Sequence, residues 1–288
     1  MNKILLSVLT IATVGAIGVY ATQAYFSDTE TSTNNVFTAG SIDLKVSNDS
    51  YVSDQITGAL VASPNTSWIS ADLTTVNKFF DFTDIKPGDI GEDTIDLTVD
   101  NNDAWACAEL TLTSNADNGC SEPELDDDPS CATESAELMD GELAQGIEFV
   151  WWADDGDNVL EENEEASKYY LGPETIANLL GTDNTIQLTL ADKYLNFFDR
   201  TRLDQGDTVL PLKGLQTYYI GKGWCFGEMT LTPLPEDTTG PLVRGTGFTC
   251  NGVEVNNAAQ TDTLTADLKF TAIQSRNNMD YVCPEHEQ

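Results

Sequence analysis

Apolar residues recur at every second position in one stretch of this chain after another. Ile42, Leu44 and Val46 form one set, Ile95, Leu97 and Val99 another, and Ala108, Leu110 and Leu112 a third. Ile186, Leu188 and Leu190 follow, then Leu264, Ala266, Leu268 and Phe270; a shorter set lies in Phe79-Phe-Asp-Phe82. A period of two sends successive side chains to opposite faces of a strand, so each stretch has one face to bury and one to wet. Residues 149–152 and 218–220 are continuous apolar runs of strand length. Turn chemistry separates the runs at Lys86-Pro-Gly88, Asp100-Asn-Asn-Asp103, Asn118-Gly119 and Asn251-Gly252. Sheets with one apolar face need a second layer, which predicts an all-β fold, a jelly-roll-like β-sandwich or a barrel. The one helical expectation is a short helix within residues 167–180, stopped by Gly181. No Pro-, Gly- or Ser-rich linker and no repeat divides residues 41–288, which read as a single β-sandwich domain. Residues 114–146 read as a long acidic loop insertion between strands, clipped by cysteines.

The start of the chain has a different character. Lys3 is the only charge in the first 27 residues, residues 4–19 are apolar, and the small residues Thr22 and Ala24 sit two apart. A positive end, an apolar stretch and a small-x-small site make a secretory leader. The apolar run falls short of the ~20 residues that span a bilayer, and no basic cluster follows it. Residues 1–24 are therefore expected to be cut between Ala24 and Tyr25 by a signal peptidase. That leaves a secreted, extracellular or cell-surface protein with no stable membrane span. Cleavage would leave 264 of 288 residues, ample for a real core. Six cysteines (Cys107, Cys120, Cys131, Cys225, Cys250 and Cys283) make an even set with no Cys-x-x-Cys pair, so disulfides rather than zinc or redox chemistry are expected. Spacing does not choose among the pairings. The set guessed is Cys120 with Cys131, Cys225 with Cys250, and Cys107 with Cys283.

Thirteen basic residues stand against 48 acidic ones, for a net charge of -35, and no Lys or Arg occurs between Lys86 and Lys168. Such a surface repels nucleic acid and anionic lipid headgroups. It suits cations, a salt-rich medium, or plain solubility.

Behind the leader lies an arm, residues 25–40. The aromatic pair Tyr25 and Phe26 is followed by a polar run containing Thr29, Thr31 and Thr33, then by Val36, Phe37 and the Gly40 break. The segment is β-capable but has no hairpin turn, and a strand without a partner is not stable alone. Its residues leave two readings open. The arm adds to another sheet as a strand, with Thr29, Thr31 and Thr33 on one face, or it is a surface tether or folds back on its own sheet.

Leader plus Ala24-Tyr-Phe-Ser-Asp28, followed by Phe37-Thr-Ala-Gly40-Ser-Ile-Asp-Leu44, resembles the TasA/camelysin family of exported bacterial surface and biofilm-fibre proteins. Asp84-Ile-Lys-Pro-Gly88 resembles that family's Lys-Pro-Gly turn, Asn101-Asn102 its Asn-rich strand end, and Leu268-Lys-Phe-Thr-Ala272 its last core strand. These matches are in order and touch about half of the chain. The cysteines, the acidic insertion and the Trp151-Trp152 segment depart from the family pattern. The resemblance implies a jelly-roll sandwich, removal of the leader by a dedicated signal peptidase, and head-to-tail self-assembly into extracellular or biofilm-matrix filaments. In such filaments the mature N-terminal arm completes the sheet of the next subunit.

Two further features bear on function. In Trp151-Trp-Ala-Asp-Asp-Gly-Asp-Asn-Val-Leu-Glu-Glu-Asn-Glu-Glu165, carboxylates crowd a Gly-containing turn. Ca²⁺ takes six to eight oxygens from a flexible loop, so Asp154, Asp155, Asp157, Glu161 and Glu164 are candidate calcium ligands. The register is not that of an EF-hand, since counting from Asp155 places Leu160 where that loop needs Gly and Ala166 where it needs Glu. The alternative is an acidic hairpin loop without a fixed ion. Trp151 and Trp152 suit core packing better than a carbohydrate platform. Calcium loop, Trp pair and sandwich together nevertheless define a second functional reading, a calcium-stabilised surface domain binding carbohydrate or another ligand. Metallopeptidase activity, described for camelysin-type proteins, is disfavoured. The only histidine is His286 and there is no His-Glu-x-x-His.

Overall fold

The computed structural model describes residues 27–31, 42–133, 139–164 and 171–284. The leader with its expected cut at Ala24 and Tyr25, the arm residues Phe26, Thr33, Val36 and Phe37, and His286 lie outside them.

The strands are β1 (Ser27–Thr31), β2 (Asp43–Ser53), β3 (Leu60–Ala62), β4 (Trp68–Ala71), β5 (Ile90–Asp100), β6 (Ala104–Ala116), β7 (Ile147–Asp154), β8 (Leu171–Thr175), β9 (Thr185–Ala191), β10 (Leu195–Asn196), β11 (Thr201–Arg202), β12 (Thr217–Phe226), β13 (Glu228–Leu231), β14 (Phe248–Asn251) and β15 (Thr263–Gln274). Among the described residues the α-helices that join them are short: α1 (Glu122–Asp127), α2 (Leu143–Gly146), α3 (Ile176–Leu180) and α4 (Pro241–Arg244). One sheet has the order β1-β15-β6-β9-β10-β11 and the other β3-β2-β5-β12-β7-β8, with β4 also on β2. Strands β13 and β14 form a separate pair. From β5 onward the long strands β5, β6, β7, β9, β12 and β15 fall alternately in the two large sheets. The chain thus builds an antiparallel β-sandwich by crossing from layer to layer.

The period-two residues are buried in the sandwich or packed against its core. Leu44, Val46, Ile95, Leu97 and Val99 from one sheet meet Leu110, Leu190, Leu268 and Phe270 from the other in one cluster. Each fully buried side chain of this size contributes roughly 1.5–3 kcal/mol. Strand β7 is continuous rather than alternating because both of its faces are covered. Phe149 and Trp151 belong to the inter-sheet core, whereas Val150 and Trp152 pack on the outer side with Leu160, Cys225, Met229 and Phe248. Across from Trp152 the chain has Gly221. A Cβ there would lie 2.0 Å from the indole, so the ring takes the space that only glycine leaves.

Two expectations need correction. Residues 79–82 form no strand. The alternation is used by a loop that plugs the sandwich, with Phe79 buried against Trp68 and Phe270 at ring separations of 5.0 and 6.1 Å, and Phe82 5.1 Å from Trp224. The short helix expected within 167–180 is present as α3, and residues 171–175 ahead of it form β8 alongside β7. Thr175 caps α3 by accepting from the Asn178 N–H, and Gly181 ends it as expected. The acidic insertion starts later than 114, since β6 runs on to Ala116 against β15. Within it Ser121 and Glu124 form a reciprocal capping box that starts α1.

The disulfides are Cys107–Cys283, Cys120–Cys131 and Cys225–Cys250, the three pairs guessed above. Such bonds persist in oxidising surroundings. No helix among the described residues is long and apolar enough to cross a membrane.

Strand β1 brings part of the arm into the structure. Its backbone pairs antiparallel with β15, from Ser27 opposite Ile273 to Thr31 opposite Lys269, along the edge of β15 not taken by β6. Thr29 and Thr31 are thus in a ladder with the chain's own sheet.

Candidate metal centre

The acidic loop leaves the end of β7, and its path is set by buried residues on both sides. Gly156, at φ +108°, and Asn158, at φ +65°, turn the chain back. Val159 and Leu160 then dive into the packing beneath Trp152, at 0 and 1 % exposure. Leu160 N–H donates to the Thr246 carbonyl at 3.0 Å and Leu234 N–H to the Leu160 carbonyl at 3.1 Å, so the loop is clamped to the segment that follows β13. A loop held this way presents carboxylates at fixed positions rather than trailing them in solvent.

Those carboxylates converge. One oxygen each of Asp154, Asp155 and Asp157 lie within 4.8 Å of one another, and so do oxygens of Asp155, Glu161 and Glu164. All five candidate ligands therefore fall in two groups that share Asp155. Asp154 is the best anchored. Its Oδ1 accepts from Trp152 Nε1 at 3.0 Å, and its Oδ2 from Thr94 Oγ1 at 2.8 Å and Gly156 N–H at 3.0 Å. Asp157 Oδ1 accepts from Val159 N–H at 3.0 Å. Glu164 reaches back to accept from Glu161 N–H at 3.0 Å through Oε2.

Two oxygens are left over, and they are informative. Glu161 is fully buried and Glu164 is 4 % exposed, yet Glu161 Oε2 and Glu164 Oε1 have no hydrogen-bond partner. A buried carboxylate oxygen without a donor is costly unless it is protonated or meets a cation. The electrostatics agree. Burial first, then the neighbouring acids, pushes Asp154 up to about 6, Asp157 up to about 7 and Glu164 up to about 9.

Among the described residues Arg244 is the cation that pairs with these carboxylates. Arg244, at the end of α4, places Nη1 2.7 Å from Glu161 Oε1 and 3.1 Å from Asp157 Oδ2. One guanidinium against five carboxylates offsets only part of the charge. The set is purely oxygen, which suits a hard divalent ion and not zinc or copper. Nothing in the sequence marked Arg244, which lies some eighty residues downstream. The tryptophans are structural. Trp151 is 2 % and Trp152 0 % exposed, so neither offers a ring face to a sugar.

No family model matches this chain, and no curated protein matches it.

Proposed function

We propose that this protein is an exported structural subunit of an extracellular filament or biofilm matrix, and that it assembles by exchanging its N-terminal arm. The observation that carries the reading is the ladder between β1 and the free edge of β15. An exposed sheet edge pairs with whatever strand is available, and main-chain hydrogen bonds do not distinguish a chain's own arm from its neighbour's. Exchange keeps every bond of the ladder and turns a closed chain into a head-to-tail contact that propagates. The resemblance of residues 24–44 to TasA-like proteins supports the same reading.

Removing residues 25–35 tests it. The sandwich core begins at Ile42, so the truncated protein is expected to stay folded and monomeric, with no filaments by negative-stain imaging. Adding a synthetic peptide of residues 25–40 is expected to fill the vacated edge and raise the melting temperature. Filaments of unchanged diameter from the truncated protein would sink the proposal. So would a full-length mature protein that stays monomeric at high concentration with and without calcium.

We also assign calcium as the ion of the loop at 154–164, on the strength of its oxygen-only ligands and the two buried oxygens that lack donors. An ion bound only by the folded state adds RT ln(1 + [L]/Kd), about 2.7 kcal/mol at a hundredfold excess over Kd. EDTA is therefore expected to lower the melting temperature. In a D155N/D157N variant that difference should vanish. Identical melts of the parent protein in EDTA and in excess calcium would mean a loop with no fixed ion. The two assignments are linked through charge. Copies this acidic repel one another, so bound cations would favour association.

A further inference from the structure

A second group of acids lies at the other acidic segment, with no residue in common with the first. We propose that Asp117, Glu124 and Asp262 form a second site for a hard divalent cation of the calcium class, which fastens the acidic insertion to the start of β15. Asp117 follows β6 directly, Glu124 sits in the first turn of α1, and Asp262 immediately precedes β15. One oxygen of each lies within 4.8 Å of the others.

Acid clusters are common on a chain this acidic, so proximity alone says little. The decisive feature is what the oxygens touch. Asp117 is 2 % exposed; its Oδ1 accepts from Gly119 N–H at 3.0 Å, but its Oδ2 is buried with no partner. Asp262 repeats the pattern. Its Oδ2 accepts from the backbone N–H of Glu142 and, at 3.0 Å, of Leu143, while its Oδ1 is buried with no partner. Glu124 is fully buried and accepts from Ser121 N–H at 2.8 Å and from Thr261 Oγ1 at 3.1 Å. Backbone donors thus hold each carboxylate, and in Asp117 and Asp262 the second oxygen is left buried without a donor. No ion pair among the described residues involves any of the three.

Two buried carboxylates and the half-buried Asp262 in one place need a proton or a cation. The two nearest cysteines, Cys120 and Cys131, are tied to each other, so the donor set is oxygen alone. That selects a hard ion, with carbonyls and water completing its shell. The disulfide closes the insertion on itself, and the cation would join it to β6, α2 and β15. No local pattern signals this site, because Asp117 and Asp262 are 145 positions apart.

Calorimetric titration of the full mature chain with calcium chloride at neutral pH tests the site. The D155N/D157N variant is expected to keep one calcium per chain, and D117N/D262N to bind one fewer than the parent. In both proposed ligands Asn retains the oxygen that accepts from Gly119 or Leu143, so the fold should tolerate the change. Calcium is also expected to slow protease cleavage within residues 117–142 in the parent and in D155N/D157N, but not in D117N/D262N. E124Q, which keeps the acceptor for Ser121 N–H, should weaken this binding at least tenfold and serves if the double variant does not fold. Unchanged stoichiometry in D117N/D262N, or parental affinity in E124Q, would overturn the proposal whatever happens at the first centre.

Discussion

Replacing Cys107 and Cys283 by serine is expected to cost about 5 kcal/mol of folding stability, the largest loss of the three disulfide removals. In the chain-entropy account a cross-link stabilises by restricting the unfolded chain, with a term that grows as the logarithm of the loop it closes. Cys107–Cys283 spans 176 positions, against 25 for Cys225–Cys250 and 11 for Cys120–Cys131. The same expression gives roughly 3.5 and 3 kcal/mol for the shorter loops. The long one also pins the chain end to β6. Around it Trp105 Nε1 donates to the Asn278 carbonyl at 2.8 Å, Lys193 N–H to the Tyr281 carbonyl at 3.0 Å, and Cys283 N–H to Asp192 Oδ2 at 3.2 Å. These contacts should keep the end in place in the C107S/C283S variant under native conditions. The loss would then show in guanidinium unfolding as a shifted midpoint with little change in the folded spectrum. A loss below about 1 kcal/mol would mean that the unfolded chain is already compact enough for the cross-link to add little.

How much of this was legible beforehand follows from whether the information is local. Burial of one sheet face leaves a period-two trace in neighbouring residues, and β2, β5, β6, β9 and β15 carry it. The acid loop was legible for the same reason, since its five candidate ligands fall within residues 154–164. Phe79 to Phe82 misled because alternation reports burial, not pairing; those rings are buried in part without a neighbouring strand to bond to. The short helix within 167–180 was legible locally, whereas β8 was not, because residues 171–175 pair with the edge that β7 offers. Arg244 and the Asp117–Glu124–Asp262 group could not be read at all. Their partners are distant in sequence, and one more acid among 48 is no signal.

The sandwich also carries a charge pair in its middle, and breaking it gives the second large effect. Lys222 on β12 lies opposite Asp93 on β5, with Nζ 2.6 Å from Oδ1, and the two are 0 and 1 % exposed. Nζ also donates to the Phe79 carbonyl at 3.2 Å and sits 3.7 Å from the centre of the Phe80 ring, so the loop at 79–82 closes over it. Burial lowers the Lys222 pKa and lifts Asp93 to about 6 despite the lysine beside it. Desolvation therefore outweighs attraction for both partners, and the pair is no net gain over apolar side chains. K222M alone is expected to cost ~3–5 kcal/mol, because it strands a buried carboxylate. The double variant K222M/D93L should recover most of that loss, ending within about 1 kcal/mol of the parent or above it. The pH dependence gives an independent reading. A carboxyl whose folded pKa is raised gives most stability below its unfolded value, and that contribution is lost as pH rises through the folded value. Without Lys222 the folded pKa of Asp93 climbs further. The deficit of K222M relative to the parent should therefore shrink steadily as pH is lowered from 7 towards 5, while K222M/D93L shows no such trend. A K222M deficit that is flat with pH, or one that the second substitution deepens, would show that the ion pair itself stabilises the core.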